Sequence, residues 1–346
     1  MRTNGDASVL PGHEWRSVVA PYIGANDSRA IFQVVTTLGL LAIAFWLMAA
    51  TLRWSALFPL LLAFPTAGLL VRTFILMHDC VHGSLFSSRR ATEVVGFITG
   101  LLMLMPFAQW RRDHALHHAS SGDLERRGHG DVPTWTVREY LAKSPREQRW
   151  YRVIRHPAAL LFGGPIHLMI GQRLRPRSKA TGDKQLVSVW STNVAIGILL
   201  TGATMCFGWR IVLVAYGLPY YLAAMAGVWL FYVQHQFEDA YWESHEDWDY
   251  MTASLRGSSH LELPAIFRWF TGNIGLHHVH HLAPRIPNYR LQRCHDENPL
   301  FHAAPVVTPR SGMAAFRLAL WDEDARRLVR IDEAGRQPQI NVAFRR

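Results

Sequence analysis

Apolar residues in this chain are gathered into long runs separated by polar, charge-rich stretches. Ile31–Ala50 is a run of 20 residues without a formal charge, and Ser55–Met77 is a run of 23 in which only Arg72 is charged. Leu186–Phe207 and Ile211–Val233 are charge-free and of similar length. A helix of roughly 20 apolar residues reaches across the hydrocarbon of a bilayer, so the pattern predicts four transmembrane helices, at about 31–50, 55–77, 186–207 and 211–233. Two further apolar segments, 92–110 and 156–172, are bracketed by cations: Arg89, Arg90, Arg111 and Arg112 flank the first, and Arg155, Arg173, Arg175 and Arg177 the second. Charge at both ends opposes a crossing, so both segments are expected to be interfacial or re-entrant helices. The expected fold is thus all-α and integral to a membrane. Its plan is an N-terminal segment 1–30, a membrane domain 31–330 and a C-terminal tail 331–346. Polar residues around Pro11 interrupt any apolar stretch before Ile31, so the first span is expected to be retained rather than cleaved as a signal.

The distribution of charge sets the orientation. A formal net charge of +10 could suit nucleic acid, but its placement points to a membrane surface instead. Of 36 Lys and Arg, three lie in residues 1–30, 17 in 78–185 and 13 in 237–346, whereas the tight connections at Arg53 and Arg210 hold one each. The positive-inside tendency then puts both termini and the long middle segment on the cytoplasmic side of a cell (inner) membrane. The three cysteines, Cys80, Cys206 and Cys294, form no CxxC pair and no disulfide framework.

On this topology the histidines gather at one membrane face. His78 and His82 stand four apart at the end of the second span; His114, His117 and His118 stand at i, i+3 and i+4; and His277, His278, His280 and His281 crowd into five positions. His235 sits where the fourth span ends. Residues three and four apart share a helix face, and neutral imidazole is the commonest protein metal ligand. A lone histidine is usually a core or surface residue, and His260 and His295 are read that way. Eight of the 18 histidines in three one-faced clusters call for another explanation. With His277 at zero, His278 falls at about 100°, His280 at about −60° and His281 at about 40°, so geometry admits either His277, His280, His281 or His277, His278, His281. Analogy with the HxxHH of the second cluster favours His280 and turns His278 off the metal face. Nine candidate ligands, His78, His82, His114, His117, His118, His235, His277, His280 and His281, exceed one ion's need and fit two. Imidazole alone does not settle which metal. His13-Glu14 and His245-Glu246 lack the second histidine of an HExxH, which argues against a zincin protease.

Three boxes, HxxxH, HxxHH and HHVHH, occur in this order between paired spans. Together with His78-Asp79-Cys80, the run Asp113–Ala119, Val233–Asp239, Gly272-Asn273-Ile274-Gly275 and His280–Tyr289, the chain resembles the membrane fatty-acid desaturases, and within them the bacterial acyl-lipid branch. The resemblance extends over roughly residues 30–330. Val81 departs from it, standing where many relatives have glycine.

What the resemblance implies is an oxygen-dependent enzyme with two iron ions that removes two hydrogens from adjacent methylenes of a fatty acyl chain, with O2 as co-substrate, leaving a cis double bond. It also selects His280 over His278 and adds His235 to the ligands. Saturated methylenes offer no acid, electrophile or leaving group, so a metal that activates oxygen suits them where side-chain chemistry does not. No haem, flavin or nucleotide motif is visible, so electrons are expected from a ferredoxin- or flavodoxin-like donor docking on an arginine-rich face that includes Arg126, Arg127, Arg146, Arg149, Arg152 and Arg155. The same arginines suit anionic lipid headgroups, and no nucleic-acid partner is expected. Two alternatives stay open: a lipid or carotenoid hydroxylase or ketolase on the same scaffold, and a metal transporter, which would want polar ligands inside spans that here are nearly clean. Asp79, Asp113, Glu238 and Asp239 adjoin the ligands and could orient their free ring nitrogens. Asn273 and Gln234 are candidates to hold a metal-bound water. Tryptophans such as Trp110, Trp229 and Trp242 are read as interfacial anchors.

Overall fold

The computed structural model describes residues 14–128, 132–174 and 183–334. Residues 1–13 of the expected segment 1–30, residues 335–346 of the expected tail, and the basic flank at Arg175 and Arg177 lie outside the described residues. Helices α1 (Asp27–Leu52) and α2 (Leu57–His82) form the first apolar pair, and α7 (Asp183–Phe207) and α8 (Trp209–His235, with a π-helical stretch at Leu213–Gly217) form the second. Between the pairs lie α3 (Arg89–Leu102), α4 (Phe107–Ser120), α5 (Pro145–Ile154) and α6 (Gly164–Leu174). Among the described residues, the four helices of the pairs are long and apolar enough to cross a membrane.

Helix α2 is the axis of the fold. Its most apolar window is 61% buried, against 17% in α1 and 11% in α7, because α1, α3 and α8 all pack on it. It stops one residue past His82, where Gly83 adopts φ 64° and returns its N–H to the carbonyls of Asp79 and Cys80. A left-handed residue at this position satisfies the last carbonyls of the helix and costs glycine no steric strain. The first histidine pair therefore occupies the final two turns of the most buried helix.

The first expected interfacial segment is broken in its middle, and the second begins at a bend. Helices α3 and α4 meet at 97°. The break falls at Met103–Pro106, inside the segment 92–110, because Pro106 disfavours the helical conformation in Met105 and Leu104 turns left-handed at φ 50°. Helix α5 and the helix that begins at Ala159 meet at 67°, with Pro157 in the break.

The expectation of an all-α chain is corrected by short strands in the polar cap. Strand β1 (Trp135–Thr136) pairs in parallel with β4 (Leu318–Asp322), which forms an antiparallel hairpin with β5 (Arg327–Arg330). Strands β2 (His260–Leu261) and β3 (Val306–Val307) pair in parallel, with His260 opposite Val306. Two-residue strands are too short to produce a period-2 pattern, and β4 is buried from Ala319 to Asp322, so it does not alternate either.

Helices α9 (Ala265–Phe270), α10 (His277–Leu282) and α11 (Asn288–Glu297) complete the cap. Gly275, just before α10, packs against β2 so closely that an added Cβ would sit 2.6 Å from the Leu261 carbonyl oxygen, while Leu261 N–H donates to the Gly275 carbonyl at 2.8 Å. Backbone cannot give way as a flexible side chain can. Gly275→Ala is therefore expected to destabilise the protein by about 1–3 kcal/mol, measured as a lowered unfolding midpoint in detergent, and an unchanged midpoint would show that β2 yields freely.

Candidate metal centre

Four elements deliver histidines to one place: the end of α2 (His78, His82), the middle and end of α4 (His114, His117, His118), the last residue of α8 (His235) and the short helix α10. The structure divides them into two groups. His78, His82, His114, His118 and His280 form one, and His117, His235, His277 and His281 the other, with one ring nitrogen of every member within 4.8 Å of those of its group. The i, i+4 pairs, His114 with His118 and His277 with His281, stay together, whereas the odd members, His117 and His280, cross to the other group. The second and third clusters are thus each split between the two groups, while the first stays whole. The groups share a wall in which the His118 and His281 rings stack at 4.1 Å and 15°.

The inward nitrogens have more close neighbours than hydrogen bonding can satisfy. His114 Nε2 lies 3.0 Å from His78 Nε2 and 3.1 Å from His118 Nε2, which is itself 3.1 Å from His280 Nε2. A neutral imidazole nitrogen offers one hydrogen or one lone pair, so neither His114 nor His118 can satisfy both neighbours. His82 Nε2 and His281 Nε2 are buried without any hydrogen-bond partner. Burial first, then neighbouring imidazoles, hold His114, His118, His277, His280 and His281 well below the ordinary histidine pKa, so these rings are neutral at pH 7. Two nitrogens at right angles, each about 2.1 Å from a metal, are about 3.0 Å apart. The donor set therefore fits a metal ion in each group.

His235 illustrates how the surroundings set a ring's orientation. Its Nδ1 faces the Gly257 carbonyl at 3.1 Å, so that nitrogen must carry the hydrogen. The lone pair of Nε2 is thereby directed to His117 Nε2 at 3.1 Å and His277 Nε2 at 3.0 Å.

A family model of fatty acid desaturases matches residues 52–308 of the chain. The chain belongs to the fatty acid desaturase family. A fatty acid desaturase of Bacillus subtilis is 38% identical over 312 residues, covering 90% of this chain and 88% of the relative. An endoplasmic-reticulum acyl-lipid omega-3 desaturase of Arabidopsis thaliana, named with cytochrome b5, is 27% identical over 310 residues, covering 82% and 72%. A Synechocystis sn-1 acyl-lipid omega-3 desaturase, named with ferredoxin, is 27% identical over 265 residues, covering 72% and 65%.

In this member of the desaturase family the remaining polar residues make bonds to the scaffold. Asp79 Oδ2 accepts from both the backbone N–H and the Nδ2 of Asn288, at 2.8 Å each, while its Oδ1 stands 3.7 Å from His78 Nδ1. Glu238 is exposed and pairs with Arg327 at 2.7 Å, and Asp239 is exposed too. Asp113 accepts from Gln109 Nε2 at 3.1 Å. Gln234 Nε2 donates to the Ile274 carbonyl at 3.0 Å, and Asn273 supplies a left-handed turn at φ 58°, so both hold the loop before α10 rather than reach the imidazoles. His245 bonds the buried Asp123 at 2.8 Å, outside both groups.

His278 turns away from both groups, fully buried beside Phe301. There it meets His260 and His295, whose ring centroids lie 5.8 and 5.3 Å away, so those two residues do not stand alone as expected. Burial, followed by His295 and His260, lowers its pKa to about 3. Trp110, expected to be an interfacial anchor, stacks on His114 at 4.3 Å and 15°, and its place four residues before His114 is the available signal. Trp242 is buried as well. His280→Ala is expected to lose bound metal, and His278→Ala to keep it while unfolding at lower temperature. The reverse result, by elemental analysis of purified protein, would invert the register of the third cluster.

Proposed function

We propose that the chain is an oxygen-dependent di-iron desaturase that introduces a cis double bond into a fatty acyl chain of membrane lipids. The observation that carries this reading is the pair of all-imidazole groups at the ends of long apolar helices. His78, His82, His114, His118 and His280 are the proposed ligands of one iron, and His117, His235, His277 and His281 those of the other. One group offers five imidazoles, one more than structural zinc takes, and an imidazole-only pair of sites suits a redox-active transition metal. Two irons held there supply the oxygen activation that removes hydrogen from unactivated methylenes. The overall balance takes two hydrogens from the chain and two electrons and two protons from outside, and reduces O2 to two waters. The protein's residues keep the ligand lone pairs inward, exclude bulk water and hold the acyl methylenes beside the groups.

The same architecture supports membrane insertion. Ile31, Phe32, Val35 and Trp46 on α1, and Val187, Trp190 and Ile198 on α7, are more than half exposed. Such faces would be an aggregation liability in water and are at home in hydrocarbon. Charge bias favours a cytoplasmic histidine cap with both termini on that side, in the cell (inner) membrane. The electron donor is proposed to be a ferredoxin- or flavodoxin-like protein, in keeping with relatives named with ferredoxin or cytochrome b5.

Expression in a host lacking unsaturated products, followed by mass spectrometry of its lipids, is expected to reveal new double bonds, and the purified protein to hold close to two irons. Hydroxylated products without unsaturation, or a single zinc in active protein, would refute the reading. Cysteine labelling at positions 53 and 210 is expected to report the exoplasmic side and labelling near 127 the cytoplasm; positions 90 and 126 on opposite sides would break the topology.

A further inference from the structure

One charge inside the apolar pairs is left unused by the metal groups. Arg72 lies on α2, ten residues and about 15 Å before the helix end, and is only 6% exposed. A cation at this depth is costly to bury and commonly functional. Asp79, further along the same helix, is its electrostatic partner, while its hydrogen-bond acceptors are neutral and come from two other elements. Nε donates to Thr37 Oγ1 of α1 at 3.1 Å, Nη1 donates to the backbone carbonyl of Trp269 at the end of α9, and the guanidinium lies 4.3 Å over the Trp269 ring.

Trp269 starts the turn that ends at the third histidine cluster. Thr271–Leu276 is folded by successive backbone bonds, Asn273 N–H to the Arg268 carbonyl and Leu276 N–H to the Asn273 carbonyl at 3.0 Å each, and delivers the chain to His277. Arg72, Ile75 and Asp79 lie on one face of α2, at i, i+3 and i+7, and all three touch this region. Gly272, left-handed at φ 52°, comes so close that a Cβ would lie 2.7 Å from Ile75 Cγ2, and Asp79 holds Asn288 beyond α10. The adjacent face of the same helix carries His78 and His82.

We infer that Arg72 is a positioning residue that sets the depth of the third histidine cluster against the first, through Trp269 and the 269–276 turn. Arginine suits the task because a planar fork makes several bonds and stacks at once, which a lysine cannot do. The inference rests on the metal-centre reading for its effect on iron, but its structural half is independent of any metal.

The test compares Arg72→Gln and Arg72→Lys with Met48→Ala, a truncation of a fully buried residue near the far end of α1. Two measurements are made on folded full-length protein in detergent: amide hydrogen exchange of the metal-free chain, and iron bound per chain across a titration. Arg72→Gln is expected to speed exchange selectively over residues 269–281 and to weaken iron binding about tenfold, with Arg72→Lys in between. Met48→Ala is expected to lower the unfolding temperature without either change. Unaltered exchange over 269–281, or the same change in Met48→Ala, overturns the positioning role. Failure of both Arg72 variants to fold would overturn it too, by making Arg72 a residue of general stability. If the unaltered protein binds no iron, the metal reading fails while the exchange result still decides the role of Arg72.

Discussion

Nine imidazoles, eight of them buried below a tenth of their surface, face one another across nitrogen separations of about 3 Å. Lone pairs brought together without water repel and lose their solvation, and protonation cannot relieve them because burial disfavours the charged ring. Such a cage is stable only if the protein holds it against its own electrostatics or if cations occupy it. The architecture around it answers that demand. Helices α2 and α8 end at the cage, and α4 and the short α10 supply the remaining ligands.

The terminations are therefore as consequential as the ligands. Gly83 stops α2 just beyond His82, and the Gly257 carbonyl fixes the His235 tautomer. The carboxylate beside the first box serves the scaffold instead. Asp79 grips Asn288, whose amide is shared with Gln33 at 3.0 Å, tying α1, α2 and α11 together. Scaffold bonds of this kind hold backbone, and through backbone they aim several rings at once.

The periphery follows a different logic. Apolar side chains on the outer faces of α1 and α7 need no protein partner if hydrocarbon is the solvent. The polar cap, by contrast, folds as a soluble domain would, with its own small core around Val137, Tyr140, Tyr151, Leu320 and Val329. Buried Arg155 closes that cap by donating to the Leu318 carbonyl at 2.7 Å and to Tyr232 Oη at 3.2 Å.

Much of this was legible in the residues alone, because long apolar runs and i, i+3, i+4 histidines are local patterns with a local cause. Hydropathy located the four long helices, and spacing identified which histidines share a helix face. It could not say which face meets which neighbour. His117 stands about 60° from His114 and about 100° from His118, and only the crossing of α4 with α8 and α10 sends it to the second group rather than the first. The bends at Pro106 and Pro157, the short parallel strands, the stacking of Trp110 on His114 and the reach of Arg72 to Trp269 share that character. Arg72 and Trp269 lie 197 positions apart in the chain, and Asp79 and Asn288 lie 209 apart. Contacts over such separations leave no period to read, so the chain determined the helices and the ligand faces, and tertiary packing decided how the ligands were shared.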